Sequence, residues 1–283
     1  MIIWIASYPK SGNTLLRSML AAYFFSNDGK FKFDLLKNIS QFPMIELFEG
    51  LGIDVKNEEE VIKNYIRVQD SFNKKNSVQF LKTHSYFFNI KNHKFTDLNN
   101  TLGSIYVVRD PRNVVTSYAN HRNISLDDAC DDMIKLNVMG GDLLKLGAER
   151  TTVFSGSWSL NFNSWKSMKF QDRYLLIKYE DLVNEKEKTF IKVLNFIHSL
   201  KKGDQQINLD KIKNVIATTS FSKMKKKEKE EGFPESKTNK KTGEKIPFFN
   251  LGDQNDWAKL LDSKLIYKIE KAFKKEMKEL DYL

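Results

Sequence analysis

Cysteine and histidine are scarce in this sequence. Its 283 residues include one cysteine, Cys130, so no disulfide can form within the chain, and a reducing, cytoplasmic location is expected. The histidines His84, His93, His121 and His198 do not show the spacing of zinc ligands. We therefore expect neither a disulfide scaffold nor a metal site.

Long apolar runs are also missing. No stretch reaches the roughly 20 residues that cross a bilayer as a helix, and the N-terminus has no basic segment of the kind that opens a secretory leader. Stable membrane insertion is therefore not expected. The hydrophobic fraction of 41% and the charged fraction of 29% are ordinary for a globular protein. We expect a single domain over residues 1–283.

The first twenty residues predict an anion site. Residues 2–5 form an apolar run typical of a strand buried on both faces, and a helical pattern of apolar residues begins at Leu15. The loop between them lies over the unpaired N–H groups of the helix N-terminus, which favour an anion. Although an ordinary strand-to-helix turn is the alternative, the loop offers a cation, hydroxyls and a glycine for binding phosphate: Lys10, Ser11, Gly12, Asn13 and Thr14.

The nucleotide-hydrolase pattern, in which Gly-Lys-Ser/Thr follows an earlier glycine, is missing from this loop. Lys10 precedes Gly12, the loop's only glycine. The sequence therefore disfavours an ordinary ATP or GTP hydrolase.

Polar residues also follow three later apolar runs. Lys82 and His84 end the run that begins at residue 78, Arg109 follows residues 104–108, and Tyr179 follows residues 174–178. Strands alternating with helices predict an α/β fold with a central parallel sheet flanked by helices. Ligands bind at the carboxyl ends of such strands, so we expect these side chains to share one site.

The polar residues at these strand ends suggest definite chemistry. Lys82 and His84 lie two apart and share a face, so Lys82 can neutralise oxyanions while His84 accepts a proton; a structural role for His84 is the alternative. Arg109 can grip a phosphate, although a buried arginine paired with a carboxylate is as plausible. Asp110 and Pro111 then predict a helix start.

These motifs together resemble the sulfotransferases that use 3′-phosphoadenosine-5′-phosphosulfate (PAPS). The loop Tyr-Pro-Lys-Ser-Gly-Asn-Thr at residues 8–14 is similar to the family's 5′-phosphosulfate loop, although Leu15 stands where tryptophan is common. Lys-Thr-His at 82–84, Tyr-Glu-Asp at 179–181 and Thr-Ser-Phe at 219–221 are further family motifs, and they occur in the family's order.

The resemblance implies a P-loop-like nucleotide-binding fold and PAPS as donor, with adenosine 3′,5′-bisphosphate as product. It implies that His84 is a general base and that Lys10 and Lys82 are catalytic. Arg109 and Ser117, eight residues apart, match the family's 3′-phosphate ligands. The other positions carried over as donor contacts are Tyr179, Thr219, Phe221 and Gly252.

One family motif is only partly present. Where the family has Arg-Lys-Gly, this chain has Asn250, Leu251 and Gly252, so Lys245 is a candidate replacement for the missing arginine. Residues 223–247 are rich in Lys and Glu without a hydrophobic period, which predicts a long mobile loop that closes over the donor.

Two other function classes remain open from the residues alone. One is a nucleotide-dependent phosphotransferase of P-loop type. The other is a basic nucleic-acid-binding protein, which the net charge of +10 permits and the glutamates among the lysines disfavour. We expect a small-molecule, lipid or carbohydrate acceptor and no nucleic-acid partner. The sequence does not indicate the acceptor's identity or the oligomeric state.

Overall fold

The computed structural model describes residues 1–73, 77–136, 152–202, 206–239 and 242–283. Its strands are β1 (Ile2–Ala6), β2 (Gln79–Thr83), β3 (Asn89–Ile90), β4 (His93–Lys94), β5 (Thr101–Val108), β6 (Tyr174–Lys178), β7 (Lys237–Thr238) and β8 (Lys245–Ile246). Its helices are α1 (Asn13–Phe25), α2 (Ile45–Glu49), α3 (Glu58–Lys63), α4 (Tyr65–Asn73), α5 (Pro111–Arg122), α6 (Leu126–Ile134), α7 (Trp158–Lys166), α8 (Tyr179–Asn184), α9 (Lys186–Lys201), α10 (Leu209–Thr218), α11 (Phe221–Glu231), α12 (Trp257–Leu260) and α13 (Ser263–Glu279).

The central sheet is parallel and has the strand order β2-β1-β5-β6. Ile5 of β1 lies opposite Lys82 on one side and Ile105 on the other, and Val108 of β5 lies opposite Lys178 of β6. This register brings the carboxyl ends of four strands to one edge. The predicted α/β fold with a central parallel sheet is confirmed.

Both faces of the sheet are buried, as the apolar run in β1 predicts. Trp4 packs among aromatic rings on one face, with Phe42, Phe95 and Trp165 at centroid distances of 5.6, 5.1 and 6.2 Å. Ile3 and Ile5 point to the other face, where they join a core formed with α1, α9 and α10. Because both faces are covered, β1 has no exposed face, and only its end opens to a ligand.

The start of α5 is fixed by Asp110, as predicted. Its carboxylate accepts a hydrogen bond from the backbone N–H of Arg112 at 2.9 Å, and Pro111 occupies the first helical position. The Asp110 carboxylate also pairs with the Arg112 guanidinium at 2.7 Å. Arg112 in turn reaches Glu270 of α13 at 2.7 Å and the Tyr282 carbonyl at 2.8 Å. One carboxylate therefore caps α5 and ties it to the C-terminal helix.

The structure differs from the expectation for residues 223–247. Instead of a long loop, the described part of this segment contains most of α11 and the hairpin of β7 and β8. Met224 and Phe233 are buried in the core, and Glu228 accepts hydrogen bonds from the backbone N–H groups of Phe248 and Phe249. Two apolar anchors and one half-buried carboxylate order a stretch whose composition predicts disorder.

We predict that Asp110→Ala lowers the free energy of unfolding by about 2–4 kcal/mol, because it removes a helix cap and one partner of a buried ion pair. Asp110→Asn keeps the cap and loses only the charge, so its cost is smaller. Urea denaturation of both variants measures the difference. A loss below about 1 kcal/mol in Asp110→Ala would contradict the role given to this carboxylate.

Candidate active site

A cavity of about 710 Å³ opens at the carboxyl edge of the central sheet. Nearly all of the residues predicted for the site line it: Lys10, Gly12, Asn13, Thr14, Lys82, His84, Arg109, Ser117, Tyr179, Thr219, Phe221 and Gly252. Ser11 is the exception. Its side chain is fully buried under the loop, and its Oγ has no hydrogen-bond partner within the described residues. The structure thus brings together motifs about 240 residues apart in the sequence. The Ser11 side chain does not reach the cavity.

The loop after β1 has an unusual backbone. Lys10 and Gly12 both have positive φ, at 64° and 103°. A Cβ at Gly12 would lie 2.3 Å from the Tyr179 ring, so only glycine fits there. Asn13 begins α1 and donates to the Ile5 carbonyl at 2.9 Å, which ties the loop to the strand. The loop is therefore held in a shape that leaves a cradle over the N-terminus of α1.

The ammonium group of Lys10 is buried, and among the described residues it has no carboxylate in contact. Its Nζ lies 3.5 Å from the centroid of the Phe248 ring and forms no hydrogen bond within the described residues. Burial lowers the pKa of Lys10 to about 7, although the charge of Glu235 opposes this shift. A bound anion would supply the missing partner and restore the ordinary lysine pKa.

The guanidinium of Arg109, at the end of β5, is also held in place by its neighbours. Its guanidinium carbon lies 4.2 Å from the centroid of the Tyr179 ring, and one Nη donates to the Lys10 carbonyl at 3.4 Å. Its Nε has no hydrogen-bond partner, and within the described ranges Arg109 forms no ion pair with a carboxylate. The alternative of an arginine neutralised by a carboxylate is therefore not what the described structure contains.

The orientation of His84 fixes its tautomer. Its Nδ1 lies 2.9 Å from the Ser7 carbonyl, which can only accept, so Nδ1 carries the proton. The other ring nitrogen, Nε2, then has a free lone pair, and His84 lines the cavity. Burial, with the nearby Lys82 charge, lowers the pKa of His84 to about 3. The imidazole is neutral at physiological pH and can accept a proton.

Two residues that sequence reasoning left without a role position His84. Asn161 of α7 donates to the His84 carbonyl at 2.9 Å and to the Ser155 carbonyl at 2.8 Å. The Tyr106 hydroxyl donates to Asn161 Oδ1 at 2.8 Å. This buried chain of hydrogen bonds fixes the end of β2, and only the tertiary structure reveals it.

Glu235 is a charged residue in the cavity that the sequence did not single out. Its carboxylate pairs with Lys82 Nζ at 3.0 Å and, through the same oxygen, with Arg17 of α1. Burial alone would raise the pKa of Glu235, but the charges of Lys82 and Arg17 hold it well below its usual range. Glu235 is thus an ionised carboxylate beside a predicted catalytic lysine.

The far end of the cavity holds the predicted nucleotide contacts. Gly252 has a φ of 57°, and a Cβ there would lie 2.3 Å from the Phe221 ring. Thr219 is fully buried, and its hydroxyl donates to the Val215 carbonyl at 2.7 Å. The Phe221 ring therefore packs directly against the Gly252 backbone in the cavity lining.

Lys245 is not the replacement cation that the sequence suggested. It is exposed and does not line the cavity. Lys186, the first residue of α9, lines the cavity instead, and burial lowers its pKa against the opposing charge of Asp253. A lysine from a different motif therefore lines the cavity, whereas the Asn250 carbonyl accepts a hydrogen bond from Lys225 at 2.7 Å.

The rest of the cavity has a mixed lining. Its apolar side chains include Pro43, Met44, Ile45 and Val153. Polar and charged side chains accompany them: Gln41, Glu46, His121, Arg122 and Lys237. Burial, together with the charge of Lys10, lowers the pKa of His121 to about 2, so this second imidazole is neutral as well. A small organic molecule bearing polar groups fits such a lining.

The cavity contains both unpaired hydrogen-bond donors, which can bind an anion, and a neutral imidazole. Lys10, Arg109 and the N-terminus of α1 face one region, and His84 and Lys82 face the adjoining one. This arrangement can bind a multiply charged anion and remove a proton from a second molecule beside it.

Comparison with known proteins identifies related chains. The model of the family described as sulfotransferase domain matches residues 2–281. Human sulfotransferase 1E1 is 25% identical over 291 residues, covering 97% of this chain and 83% of that protein. The luciferin sulfotransferase of Photinus pyralis is 22% identical over 284 residues, covering 97% and 71%. The flavonol 3-sulfotransferase of Flaveria bidentis is 22% identical over 281 residues, covering 97% and 81%.

Solved structures share the fold. Mouse sulfotransferase SULT7A1 complexed with PAP has a TM-score of 0.60 at 19% identity, covering 98% of this chain and 84% of that chain. Retinol dehydratase in complex with androsterone and the inactive cofactor PAP has a TM-score of 0.60 at 15% identity, covering 98% and 80%. At these identities the likeness concerns the architecture.

Among the described residues, none of the helices is long and apolar enough to span a bilayer. In the same part of the chain, no group of three or more His, Cys, Asp or Glu side chains is placed to hold a metal ion.

We predict that Lys10→Met stabilises the protein without ligand by about 1 kcal/mol, because it removes a desolvated ammonium group that lacks a hydrogen-bond partner. Thermal unfolding measures the change, and Lys192→Met on exposed α9 surface is the matched control. A lower melting temperature for Lys10→Met than for the wild type would contradict the account of Lys10 as an unsatisfied cation.

Proposed function

This chain belongs to the sulfotransferase family, and we propose that it transfers the sulfuryl group of PAPS to a hydroxyl or amine of a small-molecule acceptor. The observation that carries the proposal is the His84 imidazole. It is neutral, its Nδ1 proton is held by the Ser7 carbonyl, and it lies in the same cavity as Lys82 and Lys10. A neutral base beside a set of cations suits proton removal next to an anionic group in transfer.

The cavity residues suit the donor's parts. Residues 10–14 offer the unpaired Lys10 ammonium and backbone N–H groups for the phosphosulfate. Arg109 and Ser117 suit a 3′-phosphate, because the Arg109 guanidinium has no carboxylate partner within the described residues. The aromatic rings of Tyr179 and Phe221, with Thr219 and Gly252, suit the adenine. The orphaned donors and the close glycines fit PAPS, whose phosphosulfate supplies an activated sulfuryl group.

The transfer step follows from the two regions. His84 Nε2 accepts the proton of the acceptor O–H or N–H group as its oxygen or nitrogen forms a bond to sulfur. The bond from sulfur to the bridging oxygen breaks, and its electron pair leaves with adenosine 3′,5′-bisphosphate. Lys10 stabilises the charge on the leaving phosphate, and Lys82 stabilises the sulfuryl oxygens. In the proposal these lysines and backbone amides supply the positive charge, so no metal is included.

The acceptor is proposed only as a class. The curated relatives include enzymes named for luciferin and flavonol, which are small molecules. The mixed lining of the cavity is compatible with a ring bearing polar groups. Action as one domain over residues 1–283, a cytoplasmic location and independence of nucleic acid remain predictions. Movement of residues 223–247 on donor binding also remains a prediction, now for a helix and hairpin rather than a loop.

We predict that His84→Ala lowers turnover by roughly 10²–10⁴-fold while the affinity for adenosine 3′,5′-bisphosphate stays near that of the wild type, because a general base is lost and no donor contact is removed. The measurement is a screen of phenols, sugars, lipid hydroxyls and amines with labelled PAPS, followed by kinetics with the acceptor found. His198→Ala on α9, outside the cavity, is the control. Near-normal turnover in His84→Ala would remove the base assignment.

We predict that Arg109→Ala weakens binding of adenosine 3′,5′-bisphosphate by roughly tenfold or more and changes binding of 5′-AMP little, because a charge-assisted contact to the 3′-phosphate is lost. Calorimetry with both nucleotides gives the two affinities. Arg122→Ala, an arginine of the cavity lining with no assigned nucleotide contact, is the control. Equal losses for the two nucleotides would show that Arg109 does not read the 3′-phosphate.

A further inference from the structure

One carboxylate lies among the cations of the active-site cavity. Glu235 Oε1 is 3.0 Å from Lys82 Nζ and is also bound by an Nη of Arg17. Its charge also acts on Lys10, whose pKa it raises against the effect of burial. The charge of one negative side chain therefore acts on Lys10, Arg17 and Lys82.

The position of this carboxylate oxygen is chemically informative. Lys82 and Arg17 are both buried, so an anionic oxygen between them is largely shielded from solvent. In the proposed transfer, Lys82 stabilises the oxygens of the sulfuryl group. A sulfuryl oxygen and the Glu235 oxygen are both negatively charged hydrogen-bond acceptors, so they compete for the same ammonium hydrogens and repel each other at short distance.

Resting on the proposed function, we propose that Glu235 is a resident counter-ion that occupies the sulfuryl-oxygen position at Lys82 until the donor's sulfuryl group displaces it. The displacement is a change of partner and needs no covalent step. Lys82 exchanges a carboxylate oxygen for a sulfuryl oxygen, and Glu235 keeps its pairing with Arg17.

The contacts of Arg17 explain why its ion pair with Glu235 is retained. Its second Nη donates to the Leu36 carbonyl at 3.0 Å, which fixes the guanidinium on α1 independently of Glu235. The neighbouring Phe233 is buried against the Phe33 and Phe248 rings, at centroid distances of 4.9 and 4.8 Å. Because the backbone is anchored at Phe233 and the Glu235 side chain is 26% exposed, the carboxylate can turn away from Lys82 without unfolding its segment.

This arrangement affects the donor and the product differently. Adenosine 3′,5′-bisphosphate lacks the sulfuryl group, so it leaves the contact of Glu235 with Lys82 intact. PAPS must break that contact, which weakens its binding relative to that of the product. A counter-ion of this kind also holds the Lys82 ammonium group in place between turnovers.

Calorimetric titration of Glu235→Gln with PAPS and with adenosine 3′,5′-bisphosphate, in the absence of an acceptor, tests the proposal. The amide has nearly the same shape and no charge. The ratio of the product's Kd to the donor's Kd is expected to rise roughly tenfold over the wild type, the size of one charge-assisted hydrogen bond. Glu244→Gln, an exposed carboxylate of the same segment, should leave the ratio unchanged.

Each other result counts against the proposal. An unchanged ratio, or equal weakening of both nucleotides, would make Glu235 a structural residue and would leave the proposed function intact. If the wild type binds neither nucleotide, the proposed function and this inference both fail. Crystal structures of the wild type with each nucleotide need no variant: the contact between Glu235 and Lys82 should be present with the product and broken with PAPS, and its presence in both would overturn the inference.

Discussion

The active-site cavity depends on positive charge that the protein itself does not fully neutralise. Lys10, Arg109 and Lys82 meet at the carboxyl edge of the sheet, where the Glu235 carboxylate pairs with Lys82. Holding such charges out of water is costly. The aromatic faces of Phe248 and Tyr179 offset part of this cost for Lys10 and Arg109. The part of this cost that is not offset favours the binding of an anion with several charges.

The fold makes this concentration of charge possible. With the strand order β2-β1-β5-β6, the loop after β1 lies between the ends of its two neighbours, and each strand end contributes functional side chains. The covered faces of the sheet fix the strands, so those side chains have little freedom. The same packing keeps the His84 imidazole neutral, since burial and the nearby Lys82 charge lower its pKa.

Much of the site could be predicted from the sequence, because its parts are local. Lys10 and Gly12, Lys82 with His84, and Arg109 each follow an apolar run directly, and parallel strands bring such positions together. The pairing of Glu235 with Arg17 joins residues 218 apart, and no local pattern marks it. The same is true of Asn161, whose hydrogen bond to the His84 carbonyl becomes visible only in the folded chain.

Residues 223–247 show why amino-acid composition led to the wrong prediction of a long loop. Lys and Glu without an apolar period predict disorder, but in α11 the Lys227–Glu231 pair is spaced i, i+4, at 2.6 Å, and Met224 is buried. The missing arginine illustrates the same limit, because Lys186 approaches the cavity from a helix that begins far from Lys245 in the chain. When a residue is missing from a motif, the neighbouring sequence does not show which distant residue supplies a charge to the same cavity.

The central claim is that this cavity is built for a 3′-phosphorylated adenine nucleotide carrying an activated sulfuryl group. Thermal unfolding with adenosine 3′,5′-bisphosphate, compared with ATP and Mg²⁺, tests it most directly. A ligand present at a hundredfold its Kd stabilises the folded state by about 2.7 kcal/mol. The account predicts a clear rise in melting temperature with adenosine 3′,5′-bisphosphate and little change with ATP and Mg²⁺. A rise with ATP and Mg²⁺ alone would contradict it.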